Sequence, residues 1–378
     1  MSSLEWVARL EHSVRPLLLK LPSRWILRQY SHNRSTFSAR FAQEQPKLYS
    51  PPISEKRVLW GIPFQSGLMN AAGMFKNGEG YQVCAAQGAG GWLAGTTTAH
   101  PRAGNQKLGI THPFAPYPRS GAASNWLGLP NIGHKEMARI LSSLEVKEGC
   151  PIGVSLSIDP SSSGQEALDE LIQGMRTYQE AGVQFVEFNE SCPNTEHSVN
   201  MQEDGIKALI QRLEYISQHF LQSRQGTFPV IVKLSNDLPP AQLTHLVPAL
   251  LRLKFDGLNL GNTSIQYEKH AKDIHSQDQA NYRFFTSNFG GGLSGRPLKE
   301  KSYNLCKTAM EIIREHTSER EFHIIRTGGI ESFQDLKESE KIGVSLCQWY
   351  TGYFDAFGTH GHQVYQELFS HRETSNDS

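Results

Sequence analysis

Where an apolar run beginning at Phe185 stops, the chain reads Phe188-Asn189-Glu190-Ser191-Cys192-Pro193-Asn194-Thr195. Asn189 and Asn194 bring amides, Ser191 a hydroxyl and Cys192 a thiol, and Pro193 ends any strand and turns the chain outward. Amides pair with a ligand's donors and acceptors, and a thiol gives or takes a proton near neutrality when its surroundings lower its pKa. The stretch therefore suits redox or proton-transfer chemistry, with Cys192 moving the proton. Lys233 closes a second apolar run, Pro229-Val230-Ile231-Val232, where an ammonium needs an anionic or electron-rich partner. Lys76 follows Asn70-Ala71-Ala72-Gly73, small residues that let a flat ligand approach the backbone. A loop lysine is ordinarily just solvated, so Lys76 gains meaning only in company. Asn262-Thr263 ends another apolar run, and Asn125-Trp126-Leu127-Gly128-Leu129-Pro130-Asn131, read alone, is a turn flanked by two amides.

These groups need a scaffold that gathers strand ends. The runs 66–72, 90–97, 151–157, 184–191, 229–235, 257–263, 323–329 and 346–352 are short, mostly apolar, and finish in small or polar residues. Between them lie segments of helical period, such as Gln165 to Ala181 with Leu168, Leu171, Ile172, Met175 and Tyr178 on one face, and Asp204 to Phe220 with Ile206, Leu209, Ile210, Leu213 and Ile216. Alternating strand and helix imply a parallel sheet. The fold class is α/β, and eight such units predict a (β/α)8 barrel with its site at the C-terminal strand ends. An open doubly wound sheet uses the same elements, but the first strand is not followed by the glycine fingerprint of that fold. Arg57 to Phe64 predicts a hairpin beside the barrel floor. Three glycine-rich pieces complete the ring: Gly290 to Leu298, Thr327-Gly328-Gly329 and Tyr350-Thr351-Gly352. The last two follow strands seven and eight, where barrels bind phosphate with backbone N–H groups and a helix N-terminus.

Lys plus Arg equals Asp plus Glu at 37 each, so no charge bias points to nucleic acid, and a small substrate is expected. Five scattered cysteines fit neither a disulfide framework nor a metal site, and imply a reducing compartment. Residues 1–45 form a separate unit before a barrel of residues 46–378. Its first 40 residues hold seven bases against Glu5 and Glu11, interleaved with Leu4, Trp6, Leu10, Leu17, Leu21 and Trp25. Two amphipathic helices broken near Pro16 or Pro22 follow. The residues leave three readings of this segment open: a membrane-surface dock, a cap across the barrel, or a mitochondrial presequence.

Taken jointly and in this order, the motifs from Arg57 to Gly352 resemble the dihydroorotate dehydrogenase family, FMN-dependent (β/α)8 barrels of pyrimidine biosynthesis. The resemblance rests on Ala71-Ala72-Gly73 with Lys76, Gly95-Thr96, Asn125 to Asn131, Asn189 to Thr195, Val232-Lys233, Asn262-Thr263, Gly291 to Leu298, Thr327 to Gly329 and Tyr350 to Gly352. It implies oxidation of dihydroorotate to orotate, with Cys192 as general base. It implies that Lys76 holds the substrate carboxylate near the flavin and that Lys233 is the cation beside flavin N1 and O2. Asn125, Asn189, Asn194 and Asn262, with Thr263, Leu127, Gly128 and Leu129 nearby, would surround the pyrimidine ring. Ala72, Gly73, Thr96, Ser155, Asn189, Gly295, Gly329, Tyr350 and Thr351, with the two lysines, match FMN-contacting positions. The N-terminal extension and Gly-Gly-Leu-Ser-Gly-Arg-Pro-Leu are similar to the membrane-associated quinone-reducing class. Cys192 and the Asn125 to Asn131 segment are similar to the soluble class, which reduces fumarate or NAD. A quinone acceptor and peripheral membrane contact are expected, in the cytoplasm on the inner membrane or in the mitochondrion. Another dihydropyrimidine substrate, a soluble acceptor, or a flavin-binding relative without turnover are the alternatives.

Overall fold

The computed structural model of the chain describes residues 1–190, 203–316 and 320–370. Each of the eight expected runs contains one strand: β1 (Leu68–Asn70), β2 (Trp92–Thr97), β3 (Ile152–Leu156), β4 (Phe185–Asn189), β5 (Val230–Leu234), β6 (Gly257–Leu260), β7 (His323–Thr327) and β8 (Leu346–Trp349). All pairings are parallel, in the order β1-β8-β7-β6-β5-β4-β3-β2. The seam between β1 and β2 brings the sheet round into a barrel. There the Gly73 N–H donates to the Gly95 carbonyl at 2.7 Å, and the Asn70 amide bonds the Leu93 backbone both ways, at 2.7 and 3.1 Å. Asn70 thus supplies ladder bonds that short β1 cannot make with its own backbone.

Period-two alternation sorts the strand residues. Val186, Phe188, Val230, Val232, Leu258 and Leu260 face outward into the core shared with the helices, which include Gly164–Glu180 and Glu203–Ile216. Met69, Leu93, Phe185, Ile231, Ile325 and Leu346 face inward and pack on Leu59, Trp60 and Phe64. Those last three belong to the expected floor hairpin, where Arg57–Leu59 pairs antiparallel with Ile62–Phe64. Gly153 makes room in this plug, because a Cβ there would lie 2.2 Å from the Phe185 ring. At about 1.5–3 kcal/mol for each fully buried large side chain, the plug seals the barrel's lower end with its own driving force.

Of the two expected places for a break between the N-terminal helices, the chain uses Pro22: helix α1 (Ser3–Leu18) runs through Pro16, and α2 (Ser23–Phe41) begins after Pro22. A capping box between Ser2 and Glu5 starts α1 firmly, and two further residues after Pro16 complete it. One feature differs from the sequence expectation: a three-stranded antiparallel sheet over the barrel mouth, formed by residues 114–117, 122–125 and 292–295. Its strands are four residues long and carry Pro116, two glycines and three alanines, so no alternating apolar pattern announces them. Consequently, of the piece Gly290 to Leu298, Gly292 to Gly295 does not complete the barrel ring but belongs to this cover, with Gly292 opposite Asn125.

Candidate active site

Two residues beyond the apolar plug, the same inward face turns polar. Glu187 on β4, Lys233 on β5, Asn259 on β6, Thr327 on β7 and Gln348 on β8 form one connected layer. The Lys233 Nζ lies 3.2 Å from Glu187 Oε1 and donates to Gln348 Oε1 at 3.2 Å. The other Glu187 oxygen accepts from Asn259 Nδ2 at 2.7 Å and Gln348 Nε2 at 2.8 Å. The Thr327 hydroxyl reaches Asn259 Oδ1 at 2.9 Å and Gln348 Oε1 at 3.0 Å. Glu187, Lys233, Asn259 and Gln348 are all buried, so the layer is tolerable only because its charges and amides satisfy one another.

Above it a row of hydrogen bonds crosses the barrel mouth. The Asn189 amide donates to Thr96 Oγ1 at 3.1 Å and accepts from Asn262 at 3.1 Å, while Thr96 meets Ser155 Oγ at 3.0 Å. A register shift between Gly95 and Thr97 turns Thr96 inward, whereas Thr97 faces outward to His134 and Tyr178. His134 is buried there, and desolvation pushes its pKa down to about 4.

A cavity opens over this row. Its walls include Ala72, Gly73, Lys76, Thr96, Asn125, Leu127, Leu129, Asn189, Lys233, Asn262, Thr263, Gly295, Gly329, Tyr350 and Thr351, which brings most of the expected residues to one place. Gly128 is not in the lining. Its φ of +74° and the Asn105 side chain, 2.2 Å from where a Cβ would stand, make it the turn that sets Leu127 and Leu129. Ser155 is likewise one step back, under Thr96, because the β2 irregularity interposes the threonine. Cys192 and Asn194 lie outside the described residues. Glu190 faces out of the barrel to Arg212 of the helix Glu203–Ile216; burial raises its pKa to about 7 against the pull of that guanidinium.

Sequence reasoning missed Glu187, Asn259 and Gln348. Each is a polar residue at every second position of an apolar strand, and that placement was the available signal. It also missed Arg296 and Glu331, which line the cavity and are paired at 2.9 Å.

The charged side chains of the lining are Lys76, Lys233, Arg296 and Glu331, an excess of cations that suits an anionic ligand. Helices Thr351–His360 and Lys299–Arg314 both begin beside the glycine-lined wall, Gly328-Gly329 and Gly352 included. Gly329, at φ +73° with Lys299 Cα 2.5 Å from a would-be Cβ, has to be glycine for the backbone to turn there. Backbone N–H groups at such helix starts receive phosphate. Thr263, in the cavity wall, has its Oγ1 buried beside Gly292 of the covering sheet without a hydrogen-bond partner among the described residues.

A barrel with amides, cations and a glycine-lined wall at its C-terminal mouth has the layout of an enzyme site for an anionic ligand. Residues 55–371 match the family described as Dihydroorotate dehydrogenase, and the chain belongs to that family. A relative from Cyanothece sp., named "Dihydroorotate dehydrogenase (quinone)", is 28% identical over 347 residues, covering 90% of this chain and 81% of the relative. One of the same name from Aliivibrio salmonicida is 27% identical over 309 residues, covering 81% and 84%. A crystal structure of ligand-free DHODH from Eimeria tenella superposes with a TM-score of 0.74 at 22% identity, over 90% of this chain and 94% of that one. The family is flavin-dependent, and the cavity's cationic lining, glycine wall and unpartnered Thr263 hydroxyl fit such a group.

Proposed function

We propose that this chain oxidises dihydroorotate to orotate, with FMN as cofactor and a quinone as electron acceptor. The observation that carries the reading is the convergence of Asn125, Asn189, Asn262, Lys76 and Lys233 on one cavity, in a chain of this family. Bound flavin supplies a two-electron acceptor for the substrate's hydride. Every other task falls to the chain. The asparagine amides, already in register through the Asn189–Asn262 bond, match the alternating N–H and C=O groups of a cyclic amide. Lys76 supplies the charge for a carboxylate, which distinguishes dihydroorotate from plain dihydropyrimidines. Lys233 holds positive charge at the cavity floor, where reduction of the cofactor creates negative charge. Cys192, three residues beyond Asn189 at the end of β4, takes the C5 proton. The two "(quinone)" relatives support the acceptor.

The N-terminal helices support a peripheral membrane dock. Trp6, Leu10, Leu17, Leu21 and Trp25 are exposed on a segment rich in bases. No described helix is long and apolar enough to cross a membrane. Residues 1–45 are the docking unit of this proposal, reaching the site through Arg34, which donates to Tyr350 Oη at 2.8 Å and to the Gly73 carbonyl.

The test is anaerobic. Dihydroorotate added to the yellow protein should bleach its flavin band rapidly, in part with Cys192→Ser and not with Cys192→Ala. A flavin that stays oxidised under dihydroorotate would rule out the substrate. Anionic vesicles should retain the parent and release a Trp6→Ser/Leu17→Ser variant; equal retention would rule out the dock.

A further inference from the structure

We propose that Glu187 is a positioning residue of the cofactor site, fixing Lys233 at the cavity floor and setting how strongly reduced flavin is favoured over oxidised flavin. The inference rests on the flavin reading above and concerns a residue that does not touch the ligand. Lys233, Thr327 and Gln348 line the cavity; Glu187 stands behind them.

A carboxylate is costly at this place. Glu187 sits between Val186 and Phe188 in a strand buried along its whole length, and its side chain is 1% exposed. Taking such a group out of water costs several kcal/mol even after relaxation, and barrel interiors are ordinarily filled by branched apolar residues. The layer two residues below shows that this barrel can do so. The upper layer instead gives one Glu187 oxygen two hydrogen-bond donors, Asn259 and Gln348, and sets the Lys233 ammonium against the other as an ion pair, on four different strands counting its own. Each of those contacts also restrains its partner. A lysine has a flexible four-carbon stem, and an ammonium tied at 3.2 Å to a carboxylate and at 3.2 Å to Gln348 Oε1 keeps one place.

The carboxylate also moderates the field. Seen from the cavity, Lys233 is a cation with its counter-charge directly behind it, so only part of its attraction for developing negative charge reaches the ligand. Removing that counter-charge strengthens the pull, and withdrawing it by one methylene does so to a smaller extent. A residue serving only to fill the barrel would instead change the binding of oxidised and reduced flavin together.

The experiment is a spectroelectrochemical titration of the holoenzyme and of Glu187→Gln and Glu187→Asp, with flavin content and thermal unfolding recorded alongside. Glu187→Gln should raise the preference for reduced over oxidised flavin about tenfold, a potential more positive by about 30 mV for a two-electron couple. Glu187→Asp, which keeps the charge and is the gentler change for folding, should shift it the same way by about twofold to threefold. Parental potentials in the variants, whatever their unfolding temperature, would overturn the assignment, as would a shift to more negative values. A parent that binds no flavin would overturn the function reading and this inference with it, so the two failures are distinguishable.

Discussion

The lower and upper halves of the barrel interior are made by the same strands and differ by a step of two residues. Along β4 the step leads from Phe185 to Glu187, along β5 from Ile231 to Lys233, along β7 from Ile325 to Thr327, and along β8 from Leu346 to Gln348. Two residues span about 6.6 Å in a parallel strand, so a plug that excludes water lies one side-chain layer beneath a site that binds. The lower layer is held by area and shape and tolerates no void. The upper layer is held by reciprocal charge and hydrogen bonds, and its weakness is an unpaired partner. Stability and chemistry are thereby assigned to separate residues on one continuous face.

The largest effect should come from breaking the upper layer at its charge. Lys233→Met leaves the Glu187 carboxylate buried and unpaired, which costs about 3–5 kcal/mol of stability. It should also slow flavin reduction by about 10²–10³-fold, as loss of a preorganised cation does. The double variant Lys233→Met/Glu187→Gln should recover most of the stability and none of the rate. Urea unfolding and stopped-flow reduction separate the two; recovery of both together would show that the layer is not divided as described.

The counterpart in the lower layer is Phe185→Ala. Phe185 is 1% exposed, with its ring centroid 6.1 Å from that of Phe64, and its truncation should cost about 3–5 kcal/mol. The folded fraction should bind flavin with the parental spectrum and reduction rate. A lost flavin band in folded protein would mean that the plug shapes the site directly.

The outer face of β2 offers a contrast by pH. His134, behind Thr97, titrates near 4 in the folded protein because burial disfavours its charge, against about 6.5 in an unfolded chain. Its contribution is complete above 6.5 and is lost as pH falls toward 4, since only the unfolded chain takes the proton; about 3 kcal/mol is at stake. Glu190 opposes it, because its raised pKa lets the folded state take a proton first as pH drops below about 7. The readout is therefore the difference between parent and His134→Gln, whose stability should decline less steeply between pH 6.5 and 4. Identical slopes would remove His134 from the account.

Thr327→Val is the smallest change. It deletes one hydroxyl from the upper layer and removes the single O–H donor that Asn259 Oδ1 and Gln348 Oε1 share, for about 1–2 kcal/mol in chemical unfolding. A neutral outcome would mean that the remaining amides rearrange to compensate.

How much of this was legible in the chain follows from the range of each signal. The eight strands each end an apolar run, and the helices carry their own periodicity, so both are written locally. Lys233, Asn189 and Asn262 were legible as polar residues ending apolar runs, whereas Lys76, a loop lysine, took its meaning from the family resemblance that ordered them all. Asn125 was legible only through that resemblance, because its strand depends on residues 292–295 for pairing. Ser155 and Gly128 were placed one step too near the cavity, since a strand irregularity and a turn direction decide that step.

By itself, then, the sequence determined the parallel barrel, the plugged floor and the kinds of chemistry at the strand ends, because hydrophobic alternation and residue type act over a few positions. Only the tertiary structure decided which side chains became partners. Glu187 and Gln348 are 161 residues apart in the chain, and Asn259 lies between them on a different strand. Their meeting depends on barrel closure and on register across five strands from β4 to β8, a non-local geometry that no local pattern encodes.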